Sequence, residues 1–195
     1  MIKKPNNWNE VQEFSDRPKL KLGAYVCKVK KAAVQGEQLC LLFDIVEGEF
    51  KNFFDNDFKA NTREDKKWKG VLRLWLPKED GSEKDEWTKS VLKGLVSAVE
   101  KSNPGYQFDW NEASLVGKTL GILFRNEEWE YDGKTGWAVR PFRAISADSV
   151  RSGDFTLPKD KPLKNKSTGS YDYMSFAANN SGFVEIVEED GELPF

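Results

Sequence analysis

Leu39-Cys-Leu-Leu-Phe-Asp-Ile-Val46 is apolar at seven of its eight positions, with Asp44 the exception. A strand with one wet face alternates apolar and polar residues. A continuous run of this kind belongs to a strand covered on both faces, inside a barrel or sandwich. Turn residues bound it, Gln35-Gly36 before and Glu47-Gly48-Glu49 after. Upstream, Leu20 to Val34 reads as a long strand: Leu20, Leu22, Ala24 and Val26 share one face, and Lys28 and Lys30 continue it outward. Downstream, Val71 to Leu76 alternates, with Leu72, Leu74 and Leu76 pointing one way and Val71, Arg73 and Trp75 the other.

A helix follows. Ser82 precedes Asp85 at capping-box spacing, and Trp87, Val91, Leu92, Leu95, Val96 and Val99 form one apolar stripe that Asn103-Pro104-Gly105 stops. Lys118–Tyr131 and Trp137–Ala147 then flank Asp132-Gly-Lys-Thr-Gly136, the signal of a hairpin with a five-residue connection. Four or five strands with a single helix before the last hairpin predict a mainly β protein. The expected form is the oligonucleotide-binding (OB) fold, a five-stranded Greek-key barrel with its helix between strands three and four. A generic α+β sheet with a capping helix is the alternative. The expected organisation is an N-terminal arm over 1–18, with Trp8, Val11 and Phe14 at helical spacing, and an OB-fold nucleic-acid-binding domain over 19–150. A polar spacer over 151–182 and an acidic tail over 183–195 follow, the tail opening on the strand-like Phe183-Val-Glu-Ile-Val187.

The 195 residues allow one domain with appendages. Aromatics at 13%, seven of them Trp, exclude a disordered charged chain. No apolar run reaches the roughly 18 residues of a membrane span, and no charged-then-apolar leader opens the chain, so neither membrane insertion nor export is expected. Cys27 and Cys40 sit in apolar strands without companion ligands and read as buried thiols of a reducing cytoplasm, although one disulfide is conceivable. Histidine is absent, which removes the commonest general base and zinc ligand. Residues 1–166 hold all 30 basic residues and 26 of the 32 acids, a body of +4. Ser167 to Phe195 carries −6, from Asp172, Glu185, Glu188, Glu189, Asp190 and Glu192. Either a polyanion-binding body bears an acidic arm or a solvated surface ends in acids.

Unpaired nucleic acid offers phosphates to Lys and Arg and base faces to aromatic rings. Arg73 and Trp75 lie on the outward parity of strand three; Trp129, Tyr131 and Trp137 bracket the last hairpin, followed by Arg140, Phe142 and Arg143. Phe53, Phe54 and Phe58, with Arg63, Lys66, Lys67, Trp68 and Lys69, form a second basic–aromatic stretch in a loop-like setting. The competing reading for each ring is core packing, and Glu127, Glu128 and Glu130 around Trp129 would repel phosphate. Asp44, Asp55 and Asp57 resemble a two-metal carboxylate set, but Asp-Asn-Asp in a loop is ordinary turn chemistry. No phosphate loop, nucleophile elbow or zinc-spaced Cys pair occurs. The expectation is a protein that is not an enzyme and needs no cofactor or metal.

Glu188-Glu-Asp-Gly-Glu-Leu-Pro-Phe195 places acids before an apolar end: Pro194 restricts the backbone, Phe195 can fill a pocket, and the acids steer toward a basic rim. These residues resemble the acidic tip of bacterial single-stranded DNA-binding proteins. The resemblance implies Phe195 as anchor, Leu193 and Pro194 as supports, Asp190 and Glu192 as steering charges, and replication, recombination and repair enzymes as partners. The body resembles instead an uncharacterised family of phage and prophage replication modules of Gram-positive bacteria. That resemblance runs through Leu41-Leu-Phe-Asp-Ile-Val-Glu-Gly-Glu49, Glu100-Lys-Ser-Asn-Pro-Gly-Tyr106, Gly117-Lys118, Glu127-Glu-Trp-Glu130 and Arg151-Ser-Gly-Asp-Phe155. The expected function is a phage-type protein that coats single-stranded DNA with little sequence preference in the host cytoplasm and recruits enzymes through its tail. Self-association is left open. The alternative is a recombination or helicase-loading adaptor that does not itself bind DNA.

Overall fold

In the computed structural model, which describes residues 2–10 and 18–163, the apolar run forms β2 (Gln38–Ile45). It lies between β1 (Ala24–Gln35) and β3 (Val71–Trp75) in a five-stranded sheet ordered β3-β2-β1-β4-β5, with β4 at Thr119–Tyr131 and β5 at Lys134–Ile145. Every pair is antiparallel. This position explains why β2 is apolar on both faces. Leu39, Leu41, Phe43 and Ile45 enter the core with Cys27, Val29, Leu72, Leu74, Leu120, Ile122 and Phe124. Cys40 and Asp44 are buried on the other face.

The sheet is mainly antiparallel β and curved, but it is not a closed barrel. The edge strands β3 and β5 come within 8 Å between Cα atoms yet form no ladder with each other. Pro141, which has no amide hydrogen to offer, sits in the β5 edge strand. Leu20 and Leu22 precede β1, and its core face is Tyr25-Cys27-Val29 rather than the Ala24-Val26 parity expected. The reason is a third layer: α3 (Ala147–Ser152) packs on β1 and β4 and covers Val26 and Leu123 from outside.

Helical content exceeds the single helix expected. α2 (Glu83–Ser102) does lie between β3 and β4, inserting Leu95, Ala98 and Val99 into the core. However, the loop-like Phe53 stretch is α1 (Phe53–Ala60), and a 3-10 turn occupies Glu112–Leu115. α1 has no local cap: Asn52 stands at φ 60° without a side-chain bond to the helix. The cap comes from β2. The buried Asp44 carboxylate accepts from the Phe54 amide at 3.0 Å and the Asp55 amide at 3.2 Å, and Lys30 Nζ lies 3.3 Å from it.

The α2 N-terminus carries the expected cap, with Ser82 Oγ accepting from the Asp85 amide at 3.1 Å. Asp85 does not reciprocate. Its carboxylate accepts from the Lys78 and Glu79 amides at 2.8 and 2.9 Å and pairs with Lys89 Nζ at 2.8 Å. Lys89 foremost, then those amides against an opposing burial effect, holds the Asp85 carboxyl below its ordinary range. A depressed folded-state pKa stabilises the fold above the ordinary carboxylate pKa of about 4 and ceases to do so as pH falls through the lower folded value. Urea midpoints of the wild type should therefore fall on acidification through that window, and Asp85→Asn should respond less steeply. Parallel pH profiles would refute this.

Candidate nucleic-acid interface

β4 and β5 outlast the rest of the sheet. The last backbone bond from the β1 side reaches Phe124, whose amide donates to Gly23 O at 2.9 Å. Beyond it the two strands continue as an arm whose tip is a two-residue turn, Asp132-Gly133, both at positive φ (50° and 69°). That geometry is the type I′ turn favoured by Asp-Gly in hairpins. At the base of the arm Lys161 bonds the free β4 edge, donating to Asn126 O and accepting from the Glu128 amide, each at 2.9 Å.

The short turn decides the faces. Directly paired residues share a face, and the observed pairs are Arg125 with Arg140, Glu127 with Ala138, Trp129 with Gly136 and Tyr131 with Lys134. These form the outer face. The other face, continuous with the core side of β4, pairs Asn126 with Val139, Glu128 with Trp137 and Glu130 with Thr135. Trp137, 52% exposed, therefore stands among Glu128 and Glu130, on the opposite face from Trp129 and Tyr131. The acids that would have repelled phosphate from Trp129 mostly face away from it.

A bulge at Phe142, where the register steps from Leu123–Arg143 to Phe124–Pro141, completes the outer face. The guanidinium carbons of Arg125 and Arg143 lie 4.3 and 5.1 Å from the Phe142 ring centre, cation–π geometry with two cations on one ring. Burial, then the Arg125 charge, lowers the Arg143 pKa from its ordinary value. Among the paired residues of β4 and β5, Glu127 is the one carboxylate on this face; it accepts from Arg125 Nε at 2.9 Å and lies 3.9 Å from Arg140 Nε. Arg125, Lys134, Arg140 and Arg143 thus outweigh it, beside Trp129 and the 79% exposed Tyr131.

The remaining sequence-predicted residues fall elsewhere. Arg73 is exposed and Trp75 half-buried on the outer face of β3, paired with Cys40 and Gln38 of β2, and Lys84 Nζ lies 5.7 Å from the Trp75 ring centre. Burial raises the pKa of the Cys40 thiol, with Arg73 opposing. Phe54 is buried, and Phe53 packs on it at 5.2 Å and on Phe50 at 5.9 Å. Trp68 donates to Phe43 O at 3.0 Å and meets Phe58. These rings belong to the core and its margin: Asp44 winds the Phe53 segment into α1 against the sheet, and Trp68 is held by its bonds to Phe43 O and Gly70 O. Lys67 is exposed, and Lys69 pairs with Asp57 at 2.9 Å. Asp44 caps a helix and Asp55 lies 3.6 Å from Lys30, so both carboxylates have structural work. Among the described residues no group of three potential ligands could hold a metal, and no helix is long and apolar enough to cross a membrane. Asp190, Glu192, Leu193, Pro194 and Phe195 lie outside the described residues, as do Val11, Phe14 and Phe183–Val187.

Two features escaped sequence reading. For Arg125 the signal was parity, since Leu120, Ile122 and Phe124 point inward and Arg125 must not. Trp110, 77% exposed at φ 62°, packs with its ring tilted 54° to that of Phe108, centre to centre 5.5 Å, in the loop before β4. Its polar neighbours Asp109 and Asn111 were the available signal. The chain matches no protein-family model and no curated protein, so its functional assignment rests on this geometry.

Proposed function

We propose that the protein is a non-enzymatic, phage-type single-stranded DNA-binding protein built on an OB-type barrel left open between β3 and β5. The strand order β3-β2-β1-β4-β5, with α2 between β3 and β4, supports that fold reading. One observation carries the function: Tyr131, Trp129, Arg140, Arg125, Phe142 and Arg143 share the outer face of the arm and its base. Alternate residues along a strand stand about 6.4–6.8 Å apart, a spacing on which successive splayed bases can meet rings while the cations meet phosphates. Such contacts carry little base preference. Arg73 and Trp75 offer a second, smaller patch. The acidic segment ending Leu193-Pro194-Phe195 recruits replication or recombination enzymes while the arm holds the strand.

Titration with oligo(dT) at low salt should quench tryptophan emission and shift the oligonucleotide in a gel, with duplex DNA bound more weakly. Affinity should fall as salt rises, because bound phosphates release counterions. Neither quenching nor a shift would reject the reading in favour of the adaptor, which Trp137 among Glu128 and Glu130 would suit.

A further inference from the structure

Gly136 is the third residue of β5, near the hairpin turn, in a backbone conformation open to any residue; its φ is not in the left-handed region. Glycine there weakens a strand and supplies nothing to pack. What it does supply is room. A Cβ at this position would stand 2.7 Å from Trp129 Cζ2, 2.9 Å from Cε2 and 3.1 Å from Nε1. The indole of Trp129 therefore crosses to the paired strand and rests on the bare backbone of Gly136, its direct partner. Trp129 remains partly exposed on the cationic side of the arm.

We propose that Gly136 is a positioning residue whose missing side chain holds the Trp129 indole against β5, leaving a ring already set to stack on an unpaired base. The inference rests on the single-strand reading above and deepens it. A tryptophan free to rotate loses side-chain entropy when a base stacks on it, whereas one seated on the strand has lost that freedom on folding, so more of the stacking free energy appears as affinity. The neighbouring Tyr131 has Lys134 opposite it rather than a glycine. Trp129 is thus the fixed platform and Tyr131 the adaptable ring.

Gly136→Ala tests this in the full chain. The atoms that the new methyl meets belong to a side chain able to swing away, so the fold should survive, as a urea midpoint would verify. Trp129 should move. In protein carrying 5-fluorotryptophan, the 19F resonance assigned to Trp129 by its loss in Trp129→Leu should shift. Anisotropy with labelled oligo(dT) should give binding about tenfold weaker, within the range that one base–aromatic stack spans. The salt slope should stay unchanged, because the ring neutralises no phosphate. Trp129→Leu should lose a similar amount, and the double variant should be no weaker than Trp129→Leu alone, since both act through one ring.

Wild-type affinity in Gly136→Ala, or additive losses in the double variant, would overturn the inference while leaving the single-strand reading standing. A wild-type chain that leaves oligo(dT) unbound would overturn both. Should Gly136→Ala fail to fold, Trp129→Leu decides the matter: full affinity in it overturns the proposed platform.

Discussion

Asp44→Ala is expected to cost the fold about 3 kcal/mol or more and to unwind α1 before the sheet melts. The carboxylate is 2% exposed and holds the amides of Ile45, Phe54 and Asp55 at 2.9–3.2 Å, with Lys30 alongside. Alanine leaves those amides without their acceptor at the start of a helix that has no local cap. Lys30 is half exposed and keeps Asp55 near, so the ion pair contributes the smaller share. Phe53 and Phe54 then lose the helix that presses them onto Phe43, Phe50 and Phe124. Asp44→Asn, which keeps one acceptor oxygen, should lose less. Urea denaturation followed by far-UV circular dichroism measures both. A midpoint for Asp44→Ala equal to the wild type would remove Asp44 from this role.

The second large effect concerns the cations of the arm. Replacing Arg125, Arg140 and Arg143 together by alanine should weaken oligo(dT) binding at low salt by at least about tenfold. It should also lower the slope of log affinity against log salt by about 1.4, at roughly 0.7 per single-strand phosphate contact for the exposed Arg140 and Arg143. Arg125, 11% exposed and paired with Glu127, adds little to it. Arginine-to-lysine replacement at the three positions should keep most of the slope but lose affinity, because a compact ammonium lacks the planar, weakly hydrated group that Arg125 and Arg143 bring to the Phe142 ring. This separates cations from rings: Gly136→Ala changes affinity at constant slope, and the triple variant changes the slope itself. An unaltered slope in the triple variant would place the phosphates elsewhere, with Arg73 and Lys67 the next residues to replace.

Much of the architecture was legible because it depends on local pattern. The covered strand Leu39–Val46, the alternation of Val71–Leu76, the Ser82 cap and the position of α2 each follow from residue spacing within a dozen positions. The capping of α1 was not legible, since Asp44 lies nine residues before the helix it caps and acts across the sheet. Without that contact, Phe53 and Phe54 read as loop aromatics available to a ligand; with it, they are core. Barrel closure was likewise beyond the sequence, because it depends on whether β3 and β5 come close enough to pair, which no residue pattern encodes.

The hairpin shows where the two kinds of information part. A five-residue connection sets Trp137 opposite Tyr131, on the same face; the two-residue Asp132-Gly133 turn sets Lys134 there instead. The difference is three residues, and with a side-chain period of two an odd shift moves every side chain of β5 to the other face. Composition and alternation by themselves determined that this chain makes a β arm rich in aromatics, arginines and glutamates. Parity within β4 already separated Trp129 and Tyr131 from Glu128 and Glu130; only the tertiary register placed the β5 residues, Lys134 and Arg140 with the former and Trp137 with the latter. A strand's two faces are one residue apart in sequence, so the choice between them belongs to the partner strand that pairs with it.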